Sequence, residues 1–481
     1  MEIEKWITPQ QNCGVCWQTF TKESQGDSET VGKNANPSVL LIKPSRLLPG
    51  GMPARLRREG MRTLTLPYLA GMTPAPWEPL IKIDALDPVT GQEAADLVAI
   101  SVLTQQAPRA YQIADHFRRR NVPVVLGGVH VTLNADEAAA HADAVAIGEG
   151  EAVWTDILDD ALHGRLRARY QAGGHHGLRG LSSPRFDLTP HGRYYTLLRP
   201  VQTTRGCPHG CDFCTVSRAY GRSYRHRPVE EVIEDVRRIR PASRYVFFVD
   251  DNLGADGAYA RALFEALIPL KISWSAQLNI GFAEDVGLLR LAARSGFQMA
   301  VCGIENVNRA NLESVAKGEI NDPRRYHELL VRYRRHGIIV LAGMILGFDT
   351  DTEETIAQNL HFMQEEKIPM ISLFLLTPFP GTPLFERLDV EGRILTRDWS
   401  RYDSYTCVYR PRGIGADRLT QLYWNACRCI TTLPAIIRRF SPPPRPRLRT
   451  LLPDLLATGL VFANNLLVFR PAAHRSLPPG V

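Results

Sequence analysis

Cys207-Pro208-His209-Gly210-Cys211-Asp212-Phe213-Cys214 is the stretch whose reading decides the fold. It follows an apolar run over residues 198–203 that reads as a strand. The cysteines therefore sit in the loop at a strand's C-terminal end, where barrels of alternating strands and helices keep their chemistry. Their spacing is C-x3-C-x2-C. Thiolates hold iron–sulfur clusters, and three of them on a four-iron cluster leave one iron open to a small molecule. A structural zinc would need a fourth ligand and a closed tetrahedron. The near candidate, His209, lies inside the loop itself.

Working outward, five more apolar runs follow, at 245–249, 272–278, 298–304, 338–346 and 371–376. Between them lie helical stripes such as Val229, Val232, Ile233 and Val236, or Tyr259, Ala262, Leu263, Ala266 and Leu267. Six such units are too few for a full barrel of about 250 residues. The pattern predicts a partial (β/α)6 barrel over 193–384 with right-handed crossovers.

Upstream, apolar runs at 39–42, 63–66, 97–103, 122–126 and 144–147 alternate with helical patterns, for example Ala110, Ile113, Ala114 and Phe117. This predicts an α/β domain over 38–168: a parallel, doubly wound, flavodoxin-like sheet covered on both faces. Such sheets bind ligands beyond the carboxyl ends of their strands. The residues there are Thr104-Gln105-Gln106, Gly127-Gly128-Val129-His130-Val131-Thr132 and Gly148-Glu149-Gly150-Glu151. Glycines let a ligand approach the backbone. Each loop alone also reads as a tight turn; three on one edge point to a ligand site. A Gly-, His- and Ser-rich linker spans 169–192.

Of 481 residues, 22% are charged and 44% hydrophobic, which excludes collagen-like, disordered and disulfide-stapled classes. The net charge is 57 − 50 = +7. Residues 431–481 hold seven Arg and one Asp, so the body carries only about +1 and gives no sign of nucleic-acid binding. The nine cysteines are odd in number and three of them crowd into 207–214, which argues for a reducing cytoplasm. Residues 1–37 read as a disordered leader without a signal peptide, with one isolated pair, Cys13 and Cys16. A mainly helical extension spans 385–440, and a basic, Pro-rich and helical tail spans 441–481. Within the tail, residues 451–469 contain Asp454, Asn464 and Asn465, so they do not form a spanning helix. They suit docking on the body or a peripheral contact with a membrane surface.

The cysteine loop and the barrel after it resemble the radical S-adenosylmethionine superfamily. The resemblance implies Cys207, Cys211 and Cys214 as ligands of a [4Fe-4S] cluster, whose open iron is chelated by S-adenosylmethionine. It implies S-adenosylmethionine contacts from Phe213, from Asp250-Asp251-Asn252 at the end of strand two, and from Gly303 and Glu305 at the end of strand four. The Asp250-Asp251-Asn252 segment departs from the Gly-Gly-Glu common in the family. Asp349, after strand five, reads as a site carboxylate or as the N-cap of the next helix. The strand-five and strand-six ends, including Pro378-Phe379-Pro380-Gly381-Thr382-Pro383, resemble the subclass with an N-terminal cobalamin domain. That implies cobalamin contacts from Thr104, Gln105, Gly127, Gly128, His130, Thr132, Gly148, Glu149, Gly150 and Glu151. The D-x-H-x-x-G motif that places a histidine on cobalt is absent. Lys43-Pro44-Ser45-Arg46 stands there instead, so cobalamin would bind without a protein histidine.

The resemblance implies a methylase. A 5′-deoxyadenosyl radical abstracts hydrogen from an unactivated carbon of a small-molecule or lipid substrate. Methylcobalamin then supplies the methyl group, and an external one-electron donor of flavodoxin or ferredoxin type starts the cycle. Two S-adenosylmethionine molecules are used per turnover. The alternative keeps both cofactors but ends in cyclisation, rearrangement or oxidation. A methylthiotransferase of RNA is disfavoured, because the first domain has no cysteine and the tail does not read as a β-barrel.

Overall fold

The computed structural model describes residues 36–440, apart from 195–197, 240 and 242. The expected leader, but for its last two residues, and the tail over 441–481 lie outside the described residues.

The first domain is built on a six-stranded, all-parallel sheet: β1 (Ser38–Lys43), β2 (Glu78–Ile83), β3 (Leu97–Ser101), β4 (Val124–Gly127), β5 (Ala144–Ile147) and β6 (Arg169–Gln171), in the order β2-β1-β3-β4-β5-β6. This is the doubly wound order expected, with one strand added. Two expectations need correction. The run at 63–66 is not a strand: it leads into the helix Thr65–Met72, and the second strand is Glu78–Ile83. That strand lies at the sheet edge, carries Pro79 and is only partly buried, so it lacks the continuous apolar run of an interior parallel strand. The sixth strand is three residues long, with Arg169 and Gln171 exposed, inside what reads as a linker.

The second sheet has strands Arg199–Val201, Tyr245–Phe248, Ser273–Leu278, Phe297–Glu305, Ile339–Leu346 and Met370–Leu375, all parallel and adjacent in sequence order. These are the six expected barrel strands. Their outward side chains, such as Trp274, Ala300 and Cys302, pack against Leu263, Phe264, Leu289 and Tyr333 of the surrounding helices. The next side chains along the strands, Met299, Ile339, Leu341 and Met370, form a separate cluster that Phe440 packs against.

The extension after the barrel acts as a strap. Its Trp399, Tyr402 and Val408 join the core on one face of the first sheet, and Trp399 Nε1 donates to Glu137 at 2.7 Å. Its Tyr409, Leu419 and Tyr423 join the barrel core. Asp349 belongs to this strap: it pairs with Arg393, and Thr352 caps the helix Glu353–Glu365 instead.

The first domain depends on a buried charge. Asp84 is fully buried. It accepts from Ser45 N at 3.1 Å, Val89 N at 2.8 Å, and Arg109 Nε and Nη2 at 3.0 Å each. Burial alone would raise its pKa, but the hydrogen bonds from Arg109, Ser45 and Val89 outweigh it and hold the carboxyl well below its usual value. A depressed folded pKa contributes stability that is present at neutral pH and is lost as pH falls through the acid range. Arg109→Met removes both guanidinium bonds to that carboxylate, leaves only the half-exposed Arg55 at 3.4 Å, and is expected to cost about 3 kcal/mol. It should also move acid unfolding to higher pH. Urea unfolding at neutral pH and an acid titration followed by circular dichroism check both.

Candidate active site

The cysteine loop is pinned at several points. At its base, Thr204 and Arg205 pair antiparallel with His226 and Arg225. Gly206 has φ +88°, and a Cβ there would lie 2.1 Å from the Ser223 carbonyl oxygen, so this position needs glycine. Its N–H donates to Asp251 Oδ2 at 2.9 Å. Further on, Asp212 N donates to the Val315 carbonyl at 3.0 Å, and the Asp212 carbonyl accepts from Leu384 N at 3.1 Å. Phe213 packs against the barrel core. Cys211 is buried, and Cys207 and Cys214 are half-buried. Burial pushes all three thiols up, Cys214 to about 11, while the Lys317 ammonium pulls each down. Thiolates are the metal-binding form, and the Lys317 ammonium favours that form. Among the described residues, no three His, Cys, Asp or Glu side chains close on one metal ion. The donor set, three thiolates on one loop with an adjacent cation, suits a cluster with an open iron.

Lys317 is the residue the sequence reading missed. It forms an ion pair with Glu305 at 3.3 Å, and both side chains are largely buried. Burial would lower the Lys317 pKa, but Glu305 and the cysteines raise it above its ordinary value. No motif announced it, because it lies twelve residues beyond Glu305 in an irregular turn. Glu305 reaches it through a register shift between Gly303 and Glu305, with Glu305 at φ +64°. Bulges re-aim side chains next to sites, and left-handed non-glycine residues persist where surrounding structure holds them. Gly303 leaves room for the carboxylate: a Cβ on it would lie 2.2 Å from Glu305 Oε1.

The three residues expected together at the second strand's end go separate ways. Asp250 is buried and accepts from Thr203 N at 2.7 Å, Thr203 Oγ1 and Thr204 N at 2.9 Å, which joins two strand ends and leaves it turned away from a ligand. Burial pushes its pKa up to about 7. Asp251 holds the cysteine loop through Gly206. Asn252 Nδ2 lies 3.9 Å from Cys207 Sγ, and its Oδ1 accepts from Asn279 N at 3.3 Å.

A cavity of about 400 Å³ separates the two domains. Its lining includes Ala99, Val125, Ala146, Gly127, Gly128, Thr132, Gly148, Glu149, Gly150 and Glu151 from the first sheet, and Gln202, Arg205, Val249 and Asp251 from the barrel. The carboxyl edges of the two sheets thus share one space. Small floor residues and glycines leave a slot for a flat ring with a polar rim. Gly128, at φ +98°, could not carry a side chain: its Cβ would lie 2.8 Å from Val102 N. Thr132 Oγ1 bridges two of the loops, donating to the Gly128 carbonyl and accepting from Gly148 N, each at 3.0 Å.

Other expected cobalamin residues lie elsewhere. His130 is absent from the lining; it is fully buried, 3.1 Å from Tyr111 Oη and 3.4 Å from Thr104 Oγ1, with its ring edge to Trp399. Val129 and Thr132 face the cavity on the short helix Val129–Leu133, and His130 takes the core side. Thr104 and Gln105 are likewise outside the lining, and Leu103 replaces them there, 47% exposed. Glu149 and Glu151 line the cavity but are engaged by arginines, as described below. Where the family motif would place a histidine, Ser45 binds Asp84 and Arg46 pairs with Asp403 of the strap at 3.3 Å.

Two family models match: the radical SAM superfamily over residues 201–363 and the B12 binding domain over 57–158. The protein is 32% identical over 356 residues to bacteriochlorophyllide d C-12(1)-methyltransferase of Chlorobaculum tepidum, covering 73% of this chain and 77% of that one. It is 30% identical over 332 residues to the C-8(2)-methyltransferase of the same organism, covering 66% and 73%. The chain belongs to the cobalamin-dependent radical S-adenosylmethionine superfamily. Its fold is similar to that of the radical S-adenosylmethionine methyltransferase TsrM of Kitasatospora setae, solved with cobalamin and a [4Fe-4S] cluster (TM-score 0.61, 15% identity, 74% of this chain and 78% of that one). The cofactors of this enzyme are therefore a [4Fe-4S] cluster, S-adenosylmethionine and cobalamin, and it acts as a radical C-methyltransferase. Radical enzymes of this kind take a small-molecule substrate and an electron donor. Among the described residues, no helix is long and apolar enough to cross a membrane.

Two variant sets separate the cofactor sites. Replacing Cys207, Cys211 or Cys214 by Ala should abolish the brown cluster absorbance and S-adenosylmethionine cleavage while cobalamin is still retained. Gly128→Val should do the reverse, losing cobalamin after anaerobic reconstitution with iron per chain unchanged. Metal analysis and visible spectra read both.

Proposed function

We propose that the enzyme methylates an unactivated carbon on a large, apolar small molecule, with the exocyclic carbons of a tetrapyrrole as the substrate class. The observation that carries this reading is the single cavity, lined at once by the glycine loops of the first domain and by the barrel ends beside the cysteines. The substrate class rests on the two relatives named above, both of which methylate bacteriochlorophyllide d.

When bound, the cluster with S-adenosylmethionine supplies hydrogen abstraction, and cobalamin supplies the methyl group. The chain's own part is positioning. Cys207, Cys211 and Cys214 would hold the cluster. Phe213, Asn252, Gly303 and Glu305 would offer contacts for S-adenosylmethionine, with Lys317 fixing the Glu305 carboxylate. Gly127, Gly128, Thr132, Gly148 and Gly150 would cradle the corrinoid. Phe374 of the last barrel strand stacks on Tyr405 of the strap, with ring centroids 6.4 Å apart, which ties the strap to the barrel. An external one-electron donor of flavodoxin or ferredoxin type fits a cytoplasmic enzyme.

The test is anaerobic turnover with a bacteriochlorophyllide, cobalamin, S-adenosylmethionine and a reductant. The expected outcome is a product one methylene heavier, with 5′-deoxyadenosine and S-adenosylhomocysteine formed in equal amounts. 5′-Deoxyadenosine without S-adenosylhomocysteine would overturn methylation in favour of cyclisation or oxidation.

A further inference from the structure

We propose that Glu149 is a positioning residue. It clamps the base of the cysteine loop by bridging two arginines that face each other there, and it ties that loop to the first domain. The inference rests on the reading of residues 207–214 as the cluster loop.

The loop leaves and re-enters the barrel through a two-residue antiparallel ladder, in which Arg205 stands directly opposite Arg225. Like charges in that position destabilise a ladder. The two side chains are only 7% and 17% exposed, so salt and water screen the repulsion little. The counter-charge comes from the other domain. Glu149, 2% exposed, accepts from Arg205 Nη1 at 2.7 Å and Arg225 Nη1 at 3.0 Å on Oε2. Its Oε1 lies 2.6 Å from Arg225 Nη2 and 3.6 Å from His175 Nδ1. Glu151 adds one bond to Arg205, at 2.6 Å from Nη2.

Glu149 belongs to the turn after β5, one residue beyond Gly148, and this turn also lines the cavity. On the barrel side, Cys207 is two residues beyond Arg205, with Gly206 packed against Ser223 between them. Opening the ladder therefore moves the first cysteine. A carboxylate from the sheet domain sets where the barrel's cysteine loop begins, and with it the relation between the two cofactor sites.

Hydrogen exchange on the full chain without added cofactors, and iron release to a chelator from the reconstituted holoenzyme, test this. In Glu149→Gln, amides over 206–224 should exchange about 10-fold faster. Iron should leave faster, cobalamin uptake should be unchanged, and the strand Ser273–Leu278 should stay at wild-type exchange rates. The decisive variant is Glu149→Gln with Arg225→Met, which removes the repulsion together with its counter-charge. It should restore slow exchange and iron retention, a rescue that simple loss of packing would not give. Unchanged exchange in the single variant, no rescue in the double variant, or loss of cobalamin from Glu149→Gln would each overturn the proposal; the last would make Glu149 a cofactor ligand. Failure of the cluster reading shows differently, as a wild-type chain that takes up no iron, and it leaves the exchange comparison standing.

Discussion

Two all-parallel sheets with their carboxyl edges turned toward one gap are the constraint on which the rest of this structure depends. Parallel strands need crossover connections, so every loop that follows a strand gathers at the same edge. Here the loops after β4 and β5 meet the ends of the first two barrel strands across one cavity. Radical chemistry and methyl donation need two cofactors facing one substrate, and this arrangement supplies that with no dedicated active-site domain.

Charged contacts span the gap. Glu149 and Glu151 meet Arg205 and Arg225 across it, and Asp251 holds the cysteine loop from within the barrel. The strap then binds both bodies, with Trp399 on the sheet side and Tyr409 and Tyr423 on the barrel side. Buried ion pairs add little net stability, but they fix geometry strictly, since a broken pair leaves a charge without compensation. A site that must hold two cofactors in register gains from that strictness.

Much of this was legible in the chain. The barrel strands were legible because interior parallel strands are near-continuous apolar runs, and the cysteine spacing leaves few alternatives. Glu78–Ile83 and Arg169–Gln171 were hidden because edge strands are short, polar or interrupted by proline. Of the residues expected at the corrinoid, Gly127, Gly128, Thr132 and the glycines at 148 and 150 line the cavity. His130 and Asp250 turn into the protein instead, because their direction depends on which side of a short helix or strand end faces the gap. The sequence had no way to reach Lys317, because that ammonium meets Glu305 only through a bulge and a left-handed residue.

By itself, then, the sequence determined the cluster-type cysteine loop, the two sheets and the edge on which the ligand loops lie, since these follow from local periodicity and cysteine spacing. The tertiary structure alone decided which side chains face the cavity and which lock the domains together. Glu149 shows the physical reason. Its neighbours along the chain mark it as a ligand loop, but its charge is claimed by two arginines more than fifty residues away.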